Sequence, residues 1–313
     1  MKKNAVALIL VNGNRYCTGS LINTTANDRR PLFLTADHCL GGWANSVKHD
    51  AITASNLSHW SFYWHYESPG CTSTFDPPFV STSGATVIAN NPNSDFALLQ
   101  LTENPLNKNG VTPYYLGWDR SGSAGTGGVG IHHPRGDIKK ISIYTIAPTS
   151  MTYSSNTVSN GHWRIVWNNG TTEGGSSGSP IMNNSRRVLG QLHGGTASCS
   201  NSSGYDAYGK FSVSWTGNGD TDNRRRLSSW LDPNNTNATT LDGIVACPTI
   251  VNFIGTVNNP VIVTANTTIV SCGDINVQNV KVQNGAKLTF DAAGEVNIIS
   301  DFEVELGSGF EIK

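Results

Sequence analysis

Short β-like runs, separated by closely spaced turn residues, divide this sequence along its whole length. Glycine and asparagine each occur 33 times among 313 residues, and only 14% of the residues are charged. Val6–Val11 and Tyr16–Ile22 flank Asn12 and Gly13, a dipeptide that two-residue hairpin turns prefer. The pattern therefore predicts an all-β protein whose strands are joined by many turns.

The composition excludes several classes of partner. The formal net charge is −1, so charge gives no reason to expect binding to nucleic acid or to an anionic membrane surface. No apolar stretch reaches the length of about 18 residues that a membrane span needs. The six cysteines form neither a CxxC pair nor a cluster with zinc-ligand spacing, and the adjacent His132 and His133 should diverge on a strand. We therefore expect no metal site.

The composition changes near residue 247. All eight tryptophans and all nine tyrosines precede it. Residues 248–313 alternate apolar and polar side chains in short runs with glycine breaks, which predicts a small β-solenoid or β-sandwich domain. We predict two domains, residues 1–247 and 248–313. The first should end in a helix over Asn223–Leu231, with Arg224–Arg226 on its solvated face.

Three motifs carry residues of catalytic types, although each motif alone is more often structural. Ser177 lies in the Gly/Ser run Gly175–Pro180, where a hydroxyl is exposed and a substrate backbone can approach closely. His38 lies in Leu34–Cys39, and a histidine before a cysteine usually has a structural role. Asp95 heads an apolar run, and an aspartate at such a position often only begins a strand.

Together, the three motifs resemble those of the chymotrypsin-like serine proteases, which carry histidine, aspartate and serine in this order. The resemblance implies that His38 is the general base, Asp95 fixes its tautomer and Ser177 is the nucleophile. It also implies that the N–H groups of Gly175 and Ser177 form an oxyanion hole. We expect Asp37 not to reach the His38 ring, because adjacent strand residues point to opposite faces.

A closer resemblance, running from about Ala5 to Asp242, is to the bacterial lysyl endopeptidases. It is carried by the segments Cys17–Arg29, Phe33–Cys39, Ser94–Leu101, Gly117–Arg120, Ile131–Pro134, Gly174–Ile181, Arg187–Gly195, Tyr208–Gly217 and Arg226–Pro233. The resemblance implies two six-stranded antiparallel β-barrels of the chymotrypsin type with a C-terminal helix. It also implies cleavage after lysine without a cofactor.

The sequence bears on the specificity pocket. Trypsins carry the pocket acid six residues before the nucleophile, where this chain has Thr171. Lysyl endopeptidases are similar in lacking that acid; theirs precedes a Tyr-Gly pair, as Asp206 does here. A carboxylate at the end of a narrow slot suits a compact ammonium better than a planar guanidinium. The alternative, that Asp206 is only a loop residue, stays open.

Other pocket residues follow from the same resemblance. His193 and Trp167 match an aromatic pair that lines the family's substrate cleft, and Gly194 joins them as a substrate-binding candidate. Glutamate-specific proteases of this fold carry a histidine where this chain has Leu192. Because leucine cannot stabilise a substrate carboxylate, we disfavour glutamate specificity.

The cysteines and the N-terminus concern the cellular compartment. The resemblance implies a disulfide between Cys17 and Cys39. It leaves Cys71 and Cys199 without partners, because family members pair the corresponding cysteines with an N-terminal segment that this sequence lacks. By elimination, we expect Cys247 to pair with Cys272. Wide cysteine spacing suits an oxidising compartment, so we expect a secreted or cell-surface protein whose signal and propeptide precede Met1.

These observations predict a monomeric serine endopeptidase that acts on proteins or peptides after lysine. The C-terminal domain resembles modules of secreted bacterial surface proteins and could bind a cell-surface or glycan ligand. Two alternatives stay open: a protease of the same fold with glutamate or another specificity, and an inactive surface-binding protein.

Overall fold

The computed structural model describes residues 2–41, 57–70, 76–108, 110–245, 250–292 and 294–313. The chain separates into two compact units, residues 1–245 and 246–313. Strands dominate the described part of both units. None of the helices in these ranges has the length and apolar character needed to cross a membrane.

The first part of the first unit forms an antiparallel sheet. Its strands are β1 (Val6–Val11), β2 (Asn14–Leu21), β3 (Leu32–Ala36), β4 (Ser61–Trp64), β5 (Val80–Ser83), β6 (Ala85–Asn91) and β7 (Phe96–Leu101). Their spatial order is β5-β4-β1-β2-β3-β7-β6. The predicted hairpin is confirmed: β1 pairs with β2 across Asn12 and Gly13, whose φ angles of 50° and 77° fit a type I′ turn.

The remainder of the first unit forms a nine-stranded sheet around an aromatic core and a separate two-stranded sheet. The strands of the two sheets are β8 (Tyr114–Tyr115), β9 (Trp118–Asp119), β10 (Gly128–His132), β11 (Lys140–Tyr144), β12 (Thr149–Met151), β13 (His162–Ile165), β14 (Pro180–Asn183), β15 (Val188–Gly195), β16 (Asp206–Lys210), β17 (Thr240–Leu241) and β18 (Ile244–Val245). The main order is β11-β10-β14-β15-β16-β13-β12; β9 joins β15 and β17, and β8 pairs with β18. The core includes Tyr144, Trp163, Trp167, Ile181 and Tyr208.

Helices in the described ranges are short. Two are α-helices, α1 (Phe211–Thr216) and α2 (Ser228–Leu231). The 3₁₀ helices are Lys2–Ala5, Asp37–Leu40, Leu57–His59, Pro105–Asn107, Pro134–Gly136, Gly217–Gly219 and Asn223–Arg225.

The single helix predicted over Asn223–Leu231 is wrong in extent. A 3₁₀ turn ends at Arg225, Arg226 is extended with φ −143° and ψ 148°, and α2 follows. Arg225, expected to be solvated, is only 8% exposed. Its Nη1 donates to Asn90 Oδ1 at 2.9 Å. This bond draws the turn onto β6, so a continuous helix cannot form.

The second unit contains parallel strands in two sheets. They are β19 (Ile250–Ile254), β20 (Val261–Val263), β21 (Thr267–Ser271), β22 (Asp274–Val282), β23 (Lys287–Ala292), β24 (Val296–Val304) and β25 (Gly309–Ile312). In one sheet β22 pairs with β19, β20 and β24; in the other β23 lies between β21 and β25. Every one of these pairs is parallel. Apolar side chains from both sheets, Phe290 among them, form the core.

The structure bears on the predicted disulfides. The bond between Cys17 and Cys39 is confirmed, and it ties β2 to the 3₁₀ turn that carries His38. Cys272 is disulfide-bonded, whereas Cys71 and Cys247 lie outside the described residues. Cys199 is exposed and forms no disulfide with a described residue.

Replacing Cys17 and Cys39 together by serine should lower the free energy of unfolding by about 3 kcal/mol, because the bridge closes a 22-residue separation. Urea denaturation of purified protein measures this. Cys199→Ser is the matched control, and at an exposed free thiol it should cost less than about 0.5 kcal/mol. Equal stability of the double variant and the control would contradict the structural role of the bridge.

Candidate active site

His38 and Asp95 are brought together by the pairing of β3 with β7. β3 leads into the 3₁₀ turn that carries His38, and β7 begins one residue after Asp95. The strands pair Ala36 with Phe96, so both side chains lie at one end of the sheet. His38 Nδ1 lies 2.8 Å from Asp95 Oδ2, and the His38 backbone N–H donates to Oδ1 at 3.0 Å. Both carboxylate oxygens therefore orient one histidine.

Burial and attraction oppose each other in this pair. Burial alone would raise the pKa of Asp95, but attraction to His38 and His193, with hydrogen bonds from His38, holds that pKa below 3.8. For His38, burial acts to lower the pKa, yet the attraction and hydrogen bond of Asp95 raise it above 6.5. Asp95 is therefore ionised at neutral pH, and a proton on His38 is stabilised beside it.

Asp37 does not compete for the His38 ring, but not for the expected reason, because both residues lie in a 3₁₀ turn and not on a strand. Its Oδ1 accepts a hydrogen bond from Asn90 Nδ2 at 2.6 Å. Burial, followed by the nearby charge of Asp95, raises the pKa of Asp37 to about 7. The Asp37 backbone N–H donates to the Asp95 carbonyl oxygen at 3.0 Å. Asp37 thus supports Asp95 through the backbone.

Ser177 lies on a tight loop that leads into β14. Gly175 and Gly178 have φ angles of 88° and 81°, which residues with side chains disfavour. A Cβ at Gly178 would lie 2.2 Å from Thr35 Oγ1, so the position requires glycine. The Thr18 N–H donates to the Ser177 carbonyl at 2.8 Å, and its Oγ1 donates to the Gly175 carbonyl at 2.9 Å. β2 therefore fixes the loop from the first sheet.

A buried, neutral histidine fixes the same loop from the second sheet. His132 Nδ1 lies 2.9 Å from Ser176 Oγ, and its Nε2 lies 3.0 Å from Ser142 Oγ. Burial lowers the pKa of His132 to about 4. The neighbouring His133 turns elsewhere, with Nδ1 2.9 Å from the Asp137 carbonyl oxygen. The two histidines therefore do not form a metal-binding pair.

The loop borders a cavity of about 540 Å³ that His38, Ser177 and Asp206 all line. Gly175 also lines it. No described residue accepts a hydrogen bond from the backbone N–H of Gly175 or Ser177. Both N–H groups belong to residues that line the cavity and are therefore left for a ligand.

Asp206 contributes a buried carboxylate to this cavity. It begins β16 and is 1% exposed. Its Oδ2 accepts hydrogen bonds from Trp167 Nε1 and Thr172 Oγ1, each at 2.6 Å. Burial raises the pKa of Asp206 to about 6, although both hydrogen bonds act to lower it. Among the described residues no cationic side chain pairs with it, so its charge is compensated only by neutral donors.

Two glycines of β15 leave space beside this carboxylate. A Cβ at Gly195 would lie 2.3 Å from Asp206 Oδ1, and a Cβ at Gly194 would lie 2.6 Å from the Tyr153 hydroxyl. Side chains at either position would therefore fill the cavity. Leu192, on the same strand, also lines the cavity.

Of the two aromatic residues expected to line the substrate cleft, His193 lines the cavity, whereas Trp167 is buried beside Asp206. The ring packed against His193 is Tyr153, with centroids 4.3 Å apart. Trp167 packs against Tyr144 and Tyr208, and its indole N–H donates a hydrogen bond to Asp206. His193 itself lies next to the His38–Asp95 pair, because its ring stacks on His38 at 5.7 Å.

Two residues of this site, Thr172 and Tyr153, were missed at the sequence level. Thr172 adjoins Thr171, the position of the trypsin pocket acid, and a hydroxyl there could have been considered as a donor to a displaced carboxylate. Tyr153 lies in a Ser/Thr-rich stretch without any motif, and only tertiary packing brings it to His193.

Asp206→Asn should change the pH dependence of stability. Because the folded-state pKa of Asp206 is raised from 3.8 to about 6, ionisation costs stability, and this cost is absent below pH 4 and complete above about pH 6. Relative to the wild type, the variant should therefore be more stable at pH 8 than at pH 4, by at most roughly 3 kcal/mol. Urea denaturation at both values measures the difference.

The control for this change is Asp242→Asn, because Asp242 is exposed and pairs with Arg187 at the surface. The difference in free energy of unfolding between Asp242→Asn and the wild type should change by less than about 1 kcal/mol from pH 4 to pH 8. If the free energy of unfolding depends on pH in the same way for the wild type and Asp206→Asn, Asp206 is not desolvated.

Comparisons with known proteins bear on the family. A lysyl endopeptidase of Pseudomonas aeruginosa is 34% identical over 193 residues, which are 60% of this chain and 38% of the relative. This chain thus spans well under half of that relative's length. Two solved structures are similar at lower identity. The active form of the Rv3671c protease from M. tuberculosis is 20% identical with a TM-score of 0.42, and the match covers 68% of this chain and 78% of that chain. The MamO protease domain from Magnetospirillum magneticum is 13% identical with a TM-score of 0.43, and the match covers 71% of this chain and 98% of that chain. The family model of the lysyl endopeptidase C-terminal domain matches residues 1–209, about two thirds of the sequence, and the chain therefore belongs to this family.

Proposed function

We propose that this chain is a serine endopeptidase that hydrolyses peptide bonds on the carboxyl side of lysine. One observation carries the proposal: His38, Ser177 and Asp206 line the same cavity, and His38 is bonded to the buried Asp95. Cleavage after a cationic side chain requires a nucleophile, a base and an anionic pocket wall in one cleft. Membership of the lysyl endopeptidase family supports the same activity.

The proposed reaction uses an acyl-enzyme. Ser177 Oγ attacks the scissile carbonyl carbon while His38 Nε2 accepts the hydroxyl proton. The C–N bond then breaks as His38 returns this proton to the leaving amine. A water molecule, deprotonated by His38, attacks the acyl carbon. The C–O bond to Ser177 then breaks as His38 returns this proton to Ser177 Oγ, and the product leaves as a carboxylic acid that ionises in water. Asp95 keeps the other ring nitrogen of His38 protonated, so Nε2 is free to act as base.

The charge that develops on the carbonyl oxygen requires donors. In the proposed site these are the N–H groups of Gly175 and Ser177, which donate to no described residue. A single donor of this kind is typically worth about 3 kcal/mol in the transition state. The Thr18 bonds to the carbonyls of both residues support the loop geometry, so that no reorganisation is needed when the oxyanion forms.

Asp206 is the proposed recognition group for the lysine ammonium. Its carboxylate is buried and accepts hydrogen bonds only from neutral donors. A cation that enters the cavity would therefore be strongly attracted to this uncompensated negative charge. An ammonium can meet Oδ1 as a point charge, whereas a guanidinium needs a planar, two-pronged approach. The glycines at 194 and 195 leave the approach open. Leu192 offers no donor to a glutamate side chain, which disfavours the glutamate-specific alternative.

The fold and domain proposals follow from this function. We assign residues 1–247 to the protease domain. We propose that its two large, mainly antiparallel sheets, which have seven and nine strands, correspond to the two barrels of the chymotrypsin type, for which six strands each were expected. Residues 248–313 form the accessory domain, and its parallel strands favour a short β-solenoid over a β-sandwich.

We further propose that the protein acts outside the cell as a monomer on protein or peptide substrates. Relatives in the family are called lysyl endopeptidases, and a disulfide between Cys17 and Cys39 suits an oxidising compartment. The accessory domain is the part that would bind a cell-surface or glycan ligand.

Cleavage sites on a denatured mixed protein substrate, identified by mass spectrometry, test the proposal. Cuts should follow lysine and neither arginine nor glutamate. Ser177→Ala should abolish cleavage. Asp206→Asn should lower kcat/KM for lysyl peptides at least about 100-fold, since it removes the partner of a buried charge, while hydrolysis of a small uncharged ester is largely retained.

Asp242→Asn again serves as the matched control and should keep the full lysine preference, because Asp242 is exposed. Unchanged lysine selectivity in Asp206→Asn would disprove the pocket assignment. Absence of all cleavage by a folded sample would favour the inactive surface-binding alternative.

A further inference from the structure

Three groups that bind transition metals meet beside the cavity. One donor atom from each of His38, Asp95 and His193 lies within 4.8 Å of the other two. Asp95 Oδ2 is 2.8 Å from His38 Nδ1 and 3.7 Å from His193 Nδ1. In a tetrahedral zinc site, with bonds of about 2.0–2.1 Å, neighbouring ligand atoms lie roughly 3.3 Å apart. Small side-chain shifts would therefore convert this cluster into a three-ligand site.

We propose that Zn²⁺ binds to His38, Asp95 and His193 and reversibly blocks the active site. The inhibition, though not the binding, rests on the proposed function, because two of the ligands are the proposed base and its orienting acid. Zinc is here a reversible ligand of the protein and not a cofactor of the reaction.

An ion can reach this position from solvent. The rings of His38 and His193 both line the cavity of about 540 Å³. Their side chains are 14% and 19% exposed, whereas Asp95 beneath them is 3% exposed. Three protein ligands leave the fourth zinc position to a water molecule from the cavity, an arrangement that open zinc sites share.

The two histidine rings lie face to face, and a donor nitrogen of each lies within 4.8 Å of the other. They stack with an interplanar angle of 20° and a centroid distance of 5.7 Å. On another side, His193 packs against Tyr153 at 4.3 Å, and His193 Nδ1 lies 3.0 Å from His162 Nε2. His162 can therefore orient His193 in the free protein and must give up this contact when zinc binds at Nδ1.

Binding conserves charge and atoms without any redox change. His38 changes tautomer through solvent, so that its single proton moves from Nδ1 to Nε2 and the Nδ1 lone pair binds zinc. A carboxylate–zinc bond replaces the hydrogen bond between His38 and Asp95. Inhibition follows because Nε2 of the zinc-bound His38 carries the proton and can no longer accept the one from Ser177.

The ligand chemistry selects the ion. Imidazole nitrogen suits zinc, whereas Mg²⁺ and Ca²⁺ prefer sites made of oxygen ligands. Cys17 and Cys39 also lie close to His38, but both sulfurs are consumed in the disulfide and offer no thiolate. The three-residue cluster is therefore the site to test.

Isothermal titration calorimetry with ZnCl₂ tests binding independently of activity. The protein is the full chain carrying Ser177→Ala, with Cys71 and Cys199 replaced by serine so that neither position can bind the metal. We expect one zinc per chain and no binding of MgCl₂. His193→Phe, which keeps a ring but removes its nitrogens, should weaken zinc affinity at least about tenfold.

His59→Gln is the matched control, because His59 is exposed, and it should leave affinity unchanged. Thermal melts verify folding, and His193→Gln replaces His193→Phe if the latter does not fold. Zinc should also inhibit ester hydrolysis by the enzyme that retains Ser177, with a constant matching the calorimetric one and with reversal by EDTA.

The outcomes separate the two proposals. If zinc binding depends on His193 but the chain that retains Ser177 shows no hydrolytic activity, the metal site is supported and the proposed function is overturned. Hydrolysis after lysine with no zinc binding, or with binding unaffected by both His193 variants, would overturn the metal site alone.

Discussion

The buried hydrogen bond between His38 and Asp95 is the contact on which the rest of the site depends. It exists because β3 ends at Ala36, opposite Phe96, where the antiparallel strand β7 begins. The Cys17–Cys39 bridge attaches the His38 turn to β2. Thr18, next to Cys17, bonds to the Ser177 loop, which leads into the second sheet. One strand therefore connects the proposed base to the proposed nucleophile, so a shift in β2 would disturb both.

The second feature of the site is a carboxylate that the fold tolerates at a cost. Asp206 is buried without a cation among the described residues, and neutral donors from Trp167 and Thr172 only partly replace water. Desolvation of this kind opposes folding at neutral pH, as the raised pKa indicates. The same unmet charge is what a lysine side chain would satisfy. Stability and recognition are therefore opposed at this residue.

Local patterns predicted much of this arrangement, and tertiary packing decided the rest. The hairpin at Asn12 and Gly13 follows from turn chemistry, which acts over two residues. His38 could be matched to Asp95 through motif order and the resemblance that it supports. The break at Arg226 could not be predicted, because it depends on Arg225 reaching Asn90 on a distant strand. For the same reason, the packing of Tyr153 against His193 could not be predicted, because no sequence motif encodes which aromatic ring returns to the cleft.

The central claim is that His38 and Asp95 activate Ser177 beside a pocket for lysine. A phosphonate ester that carries an aminobutyl side chain tests it most directly, because it reacts covalently only with an activated serine and only if the pocket accepts its ammonium. Mass spectrometry of the digested protein should locate the adduct on Ser177, with much slower labelling by the analogue that carries a carboxyethyl side chain. An intact, folded protein that forms no adduct, or one labelled equally fast by both reagents, would contradict the account.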